Sequence, residues 1–423
     1  MKRRLSLLLG LLLAVISASC GSRATPVDSA QDKAEAVSAP TSRPVTPSRF
    51  SPDSLPPICN CVLRFDRIGI EQGLSQSSVN VSFQDSRGFL WFGTQDGLNR
   101  YDGHIFKTYK PDPDVPYSLS DRWITAIVED KQGYLWVATR LGGLNRYDPR
   151  TENFTHFLHN DGNPASLSDN HVNVLYLDKD DNLWVGTTKG LDLFDRARNT
   201  FEHYGSSQKE GSAGKNITAI FQDHRGRFWV GMTTRGLNRF YPRNHMFVAY
   251  PNNPNNPNSI SYSHVTAIAE DKNGVLWVGT RSGLNRFEPD TIRFDRFLHS
   301  ESDATSIADN MINALYVDST GNLWVGTAGG LDRLSTRGGG FVHYRNDPTY
   351  SKSLSYDSVI SIHEDRGGVL WFGTYGGGVN KYDRQRDNFS YYRNNVKDPN
   401  TLSGSFITPI YVDREGYAWI GTS

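Results

Sequence analysis

Cysteine is scarce: Cys20, Cys59 and Cys61 are the only three in 423 residues. A disulfide-stapled scaffold is thereby excluded. Cys59 and Cys61 would close a very small, strained ring if bonded to each other. A metal site needs more ligands than that stretch supplies, so no metal and no cofactor is expected. Neither charge is in excess, with Lys plus Arg at 45 and Asp plus Glu at 45. A nucleic-acid surface needs a basic stripe, and none is present, so nucleic acid is not an expected partner. The single long apolar run falls short of the ~20 residues of a membrane helix. Gly-x-Ser-x-Gly, His-Glu-x-x-His and Walker loops are all missing, and no catalytic residue is expected.

That apolar run, Leu5–Ile16, follows the basic Lys2, Arg3 and Arg4 and precedes the small Ser17, Ala18 and Ser19. Residues 1–20 therefore read as an export signal. The pattern resembles a bacterial lipoprotein signal, which makes Cys20 the lipidation candidate. Ser17 stands where that motif prefers Leu, Val or Ile, so plain cleavage nearby is the alternative. Residues 21–58 are rich in Ser, Pro and Ala and nearly devoid of large apolar residues. Such a segment buries too little surface to offset its ordering entropy and reads as a disordered tether. The expected location is periplasmic or cell-surface, with a membrane anchor if Cys20 is lipidated.

What the chain has in abundance is repetition. Trp91, Trp136, Trp184, Trp229, Trp277, Trp324, Trp371 and Trp419 recur at intervals of 45 to 48 residues. Each lies in one sentence, Asp-x-x-Gly-x-Leu-Trp-Val-Gly-Thr, followed by Gly-Leu-Asn-Arg-Tyr-Asp. A fixed period of this length means one supersecondary unit copied many times. Four short strands stand out per copy. Strand a is Val79–Gln84, Ile124–Glu129, Val172–Leu177, Ile217–Gln222, Val265–Glu270, Ile312–Val317 and Val359–Glu364. Strand b is Phe89–Gly93, strand c Leu98–Tyr101 and strand d Ile105–Tyr109, with their equivalents, the last strand d being Phe389–Tyr392. In the a–b turn the Asp accepts backbone N–H groups and Gly supplies a positive φ. Strands a and b are almost continuously apolar, which predicts cover on both faces. Four antiparallel strands per unit, buried on both faces and repeated, predict an all-β fold, the β-propeller.

Leu63–Ile68 reads as a lone strand d that completes the seventh copy and closes a ring of seven blades over residues 63–386. Eight copies are visible, and the eighth, residues 387–423, stops before its strand c. It is expected to begin a second propeller, in which case this chain is the N-terminal part of a longer one.

Gly73-Leu-Ser-Gln-Ser-Ser-Val79, Gln84-Asp-Ser-Arg-Gly-Phe-Leu-Trp-Phe-Gly-Thr94 and Asp96-Gly-Leu-Asn-Arg-Tyr-Asp-Gly103 closely resemble the first unit of the two-component regulator propeller family. The resemblance covers roughly residues 63–423 and is highly specific. It implies the extracytoplasmic sensor of a membrane histidine kinase or a diguanylate cyclase, with polysaccharide fragments among the ligands of relatives. In the family, two seven-bladed propellers usually precede an immunoglobulin-like domain and a membrane helix. No second full set of repeats, no such domain and no kinase or cyclase motif is seen in this sequence.

Residues present in every copy serve the scaffold, so the repeated Trp is assigned to the core. The repeated Arg (Arg100, Arg146, Arg239, Arg286, Arg333) is expected to stack on an aromatic neighbour. Asp178-Lys179-Asp180-Asp181-Asn182 resembles the start of a calcium loop. It lacks the required Gly and Glu, and reads instead as a repeat turn whose Gly has become Asn182. His156 and His159, three apart on a strand, make a poor metal pair.

Function is sought where copies differ. The d–a and b–c loops share one face, and the residue before strand a is expected at the channel mouth. There stand Ser78, Trp123, His171, Asn216, His264, Met311 and Ser358. The b–c turns add Gln95, Asp96, Arg140, Lys189, Arg235, Arg281 and Tyr375. Trp123, His171, His264, Arg140, Lys189, Arg235, Arg281 and Tyr375 are the candidates for binding a glycan or another polar small ligand. The long d–a loops, such as Pro251–Asn258, are candidates for a protein contact.

The expected function is a ligand-sensing propeller that biases a membrane signalling module in cis or in trans, with dimerisation open to the full receptor. The alternatives are a stand-alone, surface-anchored interaction propeller, the sensor of a diguanylate cyclase and, last, a propeller glycosidase or lyase.

Overall fold

A computed structural model describes residues 63–205, 216–335, 339–384, 402–404, 406–414 and 417–422. The expected signal, the tether, all three cysteines and the strand at Phe389–Tyr392 lie outside them. The described chain forms seven four-stranded antiparallel sheets and one separate two-stranded pair. All seven innermost strands span the residues expected of strand a. In the seventh blade Asp66–Ile68 is the outer strand, paired antiparallel to Val379–Tyr382. The first described strand thus completes the last blade, and the structure is a seven-bladed β-propeller whose ring is closed by that strand.

Strand b is buried at all five positions in every blade. Strand a is less fully covered than strand b; in the first blade Val79 and Ser82 are buried and the other four residues half-buried. It forms the inner edge of the sheet, where it meets strand a of the next blade. Its second residue sits at a bulge in each blade. The bulge re-aims that side chain, and in five blades it bonds across to the next. Asn80 Nδ2 donates to Ile124 O at 2.8 Å, Thr125 Oγ1 to Val172 O at 2.7 Å, and Asn173 Nδ2 to Ile217 O at 2.9 Å. Thr218 reaches Val265 O at 2.6 Å and Asn313 reaches Val359 O at 3.1 Å. At the closure Ser361 Oγ takes over and donates to Val79 O at 2.9 Å. The same contact requires a small residue on strand b. A Cβ on Gly231 would lie 2.5 Å from Val265 Cγ1.

The a–b turn explains the period of the tryptophans. Asp85 Oδ1 accepts the N–H groups of Arg87 and Phe89 at 3.0 and 2.9 Å, and its Oδ2 accepts the Trp91 indole N–H at 2.9 Å. The indole bond recurs from Trp136 to Asp130, Trp184 to Asp178, Trp229 to Asp223, Trp277 to Asp271, Trp324 to Asp318 and Trp371 to Asp365. The seven ring tryptophans are buried, which places them in the core as expected. The repeated arginine stacks as expected in several blades: Arg100 lies 4.8 Å from the Phe89 ring centroid and Arg146 5.0 Å from that of Tyr134.

One expectation about this turn is corrected. The residue in the glycine position of blade 3 is Asp181, with φ 68°, and not Asn182. Gly88, Gly133, Gly226 and Gly274 hold the same place at φ between 76° and 100°. Asn182 follows one residue later and donates its Nδ2 to Asp178 Oδ2. The Asp178 carboxylate is thus taken up by the turn and Trp184. His159 also lies past the end of its strand, Asn153–Phe157.

Residues Ile407–Val412 and Ala418–Thr422 pair as the first two strands of a further unit. Trp419 keeps its bond to Asp413 at 2.8 Å, yet it is 58% exposed.

Burial pushes the Asp223 carboxyl up, but bonds from Trp229, the Arg227 N–H and the Arg227 side chain outweigh it and hold it below its ordinary value. A depressed carboxylate stabilises the fold above the unfolded pKa and loses that contribution as pH falls through the folded one. Asp223→Asn turns an acceptor toward the indole N–H into a donor. It is expected to cost about 1–3 kcal/mol in denaturant unfolding and to flatten the acid limb of stability. An unchanged midpoint and acid limb would remove the Asp–Trp bond from the account of stability.

Candidate functional site

In five of the seven blades the b–c turn leans on the d–a loop of the following blade. Gly143 N donates to Asn170 O at 2.9 Å, Gly236 N to Ser263 O at 2.9 Å, and Gly378 N to Ser77 O at 2.8 Å. Within a blade, the first residue of the b–c turn donates its N–H to the residue before strand a. The pairs are Arg140 to Trp123 O at 3.0 Å, Arg281 to His264 O at 3.1 Å, and Tyr375 to Ser358 O at 2.9 Å. Both loop sets therefore share one face, and the pre-strand residues form its inner rim.

Six of the eight candidates occupy this rim. Trp123, the one tryptophan outside the repeat, is half-buried, with the Arg140 guanidinium 4.3 Å from its ring centroid. His171, on the next blade, is half-buried, and Arg140 acts on it electrostatically. Burial lowers its pKa, Arg140 lowers it further, and Asp169 opposes both. His264 is lowered by burial and then by Arg281. Both imidazoles are thus driven toward the neutral form, in which one nitrogen accepts and the other donates. Tyr375 is 54% exposed and opens a turn of three glycines, 376–378.

The structure places the other two candidates elsewhere. Lys189 is the second residue of its turn and lies 3.5 Å from Asp169. It lines a separate cleft of about 380 Å³ with His159, Asp161, Asp192 and His203. Arg235 is the third residue of its turn and half-buried.

Sequence reasoning missed Tyr262 and Tyr356, which are 48% and 46% exposed on the same face. The signal was available. In blades 2, 3 and 6 that loop position holds Asp121, Asp169 and Asp309, whose carboxylates cap nearby N–H groups. Blades 5 and 7 exchange the cap for an aromatic ring. A side chain on Gly376 would begin 3.8 Å from the Tyr356 ring, so the bare turn leaves that ring open. Among the described residues, no group of three or more His, Cys, Asp or Glu is placed to hold a metal ion.

Seven segments, 73–96, 118–140, 166–189, 211–234, 259–282, 306–329 and 353–376, match the model of the two component regulator propeller. The chain belongs to this family. Over 215 residues this regulator propeller is 37% identical to histidine kinase P4 of Formosa agariphila, covering 50% of the chain and 15% of the kinase. It superposes on the extracellular domain of the hybrid two component system BT3049 of B. thetaiotaomicron with a TM-score of 0.69 and 28% identity, over 85% of the chain and 47% of that domain. PorZ, a surface component of the type-IX secretion system of Porphyromonas gingivalis, shares the fold at TM-score 0.60 and 17% identity, over 83% and 54%. The chain thus spans about half of the BT3049 domain and a smaller share of the kinase.

Arg281→Met removes the cation beside His264 and is expected to raise that pKa in an NMR titration. An unmoved value would leave burial as its sole cause.

Proposed function

We propose that this propeller is the extracytoplasmic sensor part of a histidine kinase-type two-component receptor and that its mouth face binds a glycan. The observation that carries the reading is the composition of the rim. Trp123 with Arg140 stacked on it, two near-neutral imidazoles and three exposed tyrosines (Tyr262, Tyr356, Tyr375) gather where the repeats diverge. Sugars offer apolar ring faces edged by hydroxyls, and aromatic faces with short polar groups match both. The kinship to histidine kinase P4 and to the BT3049 extracellular domain supports a signalling role. On this reading the described residues bind and do not catalyse. The output is a membrane signalling module in cis or in trans, and dimerisation belongs to the complete receptor. Cys20 is its lipid anchor.

One observation favours a second reading. Val115, Leu141, Leu158 and Leu298 are exposed on the same face, and apolar patches of this kind also suit a protein partner.

The test is a glycan array followed by calorimetry with the full chain. Trp123→Ala and Arg140→Met are each expected to weaken the best ligand by at least about ten-fold, as aromatic and Arg hot spots do. A chain that binds no glycan, or binds one equally well after both changes, would sink the glycan assignment.

A further inference from the structure

In five blades the d–a loop is held to its blade by a strand d side chain that the repeat does not keep constant. It pairs across from an Asn or Asp of strand c. The pairs are Asn145 with His156, Asp192 with His203, Asn285 with Arg296, Asp332 with His343, and Asn380 with Arg67. In blades 5 and 7 an arginine ties down the loop. Arg296 Nε donates to Ser259 O at 2.8 Å, and Arg67 Nε donates to Ser353 O at 3.1 Å. In blades 3 and 6 histidine does the same work. His203 Nε2 meets Pro164 O at 2.9 Å, and His343 Nε2 meets Ala304 O at 2.9 Å.

The other ring nitrogen decides the protonation state. His203 Nδ1 lies 2.7 Å from Asp192 Oδ1, and His343 Nδ1 lies 2.7 Å from Asp332 Oδ1. Each imidazole therefore faces an acceptor at both nitrogens. A neutral ring has one N–H and satisfies one of them; only imidazolium satisfies both. Both carboxylates are fully buried, and each also holds the loop directly. Asp192 Oδ2 accepts Ser168 N at 2.9 Å, and Asp332 Oδ2 accepts Ala308 N at 2.7 Å. Aspartate stands opposite histidine in blades 3 and 6 and asparagine opposite arginine in blades 5 and 7. Blade 2 pairs Asn145 with His156, whose Nε2 meets Ser118 O at 2.7 Å without a carboxylate on its other side. The pair keeps one net positive charge in blades 5 and 7 and none in blades 3 and 6.

We propose that His203 and His343 are positioning residues whose imidazolium forms clamp loops 159–171 and 299–311 of the mouth face, and that loss of the proton releases those loops. Each loop ends on the rim, at His171 and Met311. Other charges face the clamps. His159, Asp161 and Lys189 line the cleft beside His203, with Glu202 on its own strand. Around His343 stand His299, Glu301 and Asp303 from the loop, with Arg345 and Asp347 beyond strand d.

The bond to aspartate raises both histidines above the ordinary value, against burial. Burial pushes the Asp332 carboxyl up as well, opposed by its bonds from His343 and Ala308. The two directions compete for one proton; histidine ordinarily holds a proton more tightly than aspartate, and the Ala308 N–H bonded to Oδ2 favours the carboxylate, which puts the proton on the ring. A raised histidine stabilises below its unfolded pKa and loses that contribution as pH rises through the folded one. The loops are therefore tight below the free imidazole value and loosen as pH rises through the raised, folded one.

The test compares hydrogen exchange of the full chain between about pH 6 and pH 9, a range centred above the free imidazole value. After correction for intrinsic exchange, protection in loops 159–171 and 299–311 is expected to fall with pH. The loss is about ten-fold for each unit by which the folded pKa exceeds the free one. Loop 251–264, tied by Arg296, keeps its protection. Copying blade 5 into blade 3 (Asp192→Asn with His203→Arg) and into blade 6 (Asp332→Asn with His343→Arg) is expected to abolish the pH dependence without loosening the loops. Parallel loss in all three loops, or an unchanged profile in the arginine variants, overturns the proposal. If a variant fails to fold, nitrogen NMR of the wild-type rings decides. Protons on both nitrogens at neutral pH support the clamp, and a neutral tautomer refutes it. These measurements need no ligand, so they stand or fall apart from the glycan reading. Where a ligand is in hand, its affinity is expected to follow the same pH profile.

Discussion

A four-stranded sheet with two apolar faces cannot stand alone. Each face of a blade must be covered, and here the cover is the next blade. The cost of leaving the row open is two exposed apolar faces at the ends, and closure of the ring removes both. This requirement explains why the first described strand, Asp66–Ile68, serves the last blade. It also explains why the bulged residue of strand a is polar in six blades. A side chain that must cross from one sheet edge to the next needs a donor, and Asn80, Thr125, Asn173, Thr218 and Asn313 provide it, while the sixth, Thr266, is polar without making the bond. In the seventh, Ile360 has none, and Ser361 one residue on replaces it.

The Asp–Trp bond serves the same requirement from inside a blade. A buried indole N–H without a partner is costly, so a large ring can enter the core only with an acceptor beside it. The turn Asp supplies that acceptor and shapes the hairpin at the same time. Two jobs on one carboxylate account for the constancy of the pair through eight copies. The separated pair of strands at 407–422 keeps the bond while its Trp419 stays exposed. The local unit therefore forms from its own residues, and burial is added by neighbouring blades.

Period and apolar pattern made the blades legible: the limits of all seven a strands follow from them to the residue. The pattern failed where chemistry mimics chemistry. Asn tolerates positive φ better than most residues, which made Asn182 the natural substitute for a glycine. The hairpin counts positions instead, and its fourth place falls on Asp181. The polar second residue of strand a was visible as an interruption of an apolar run, but its target lies about 45 residues on, in another blade, and no local pattern points there. The candidate site shows the same division. Rim positions follow from the residue preceding strand a, so Trp123, His171 and His264 were legible. Turn positions depend on the length and path of each b–c turn, so Lys189 and Arg235 diverge from the rim.

Repetition separates what a propeller must keep from what it is free to change. Asp, Trp and the strand b Gly answer to the ring and recur. The loop-capping Asp and the strand d cation answer only to their own loop, and there the copies diverge: Asp against Tyr, Arg against His. Neither exchange alters the blade. Tyr262 and Tyr356 forgo a cap and present a ring to solvent, while His203 and His343 retain a cation that arginine would have made permanent. An arginine holds a loop at every accessible pH; a histidine beside a buried aspartate holds it only while the proton stays. Because the Asn–Arg pair already works in blades 5 and 7, the Asp–His pair in blades 3 and 6 is not forced by the fold. Both titratable loops end on the rim, at His171 and Met311, beside the residues proposed to bind a ligand.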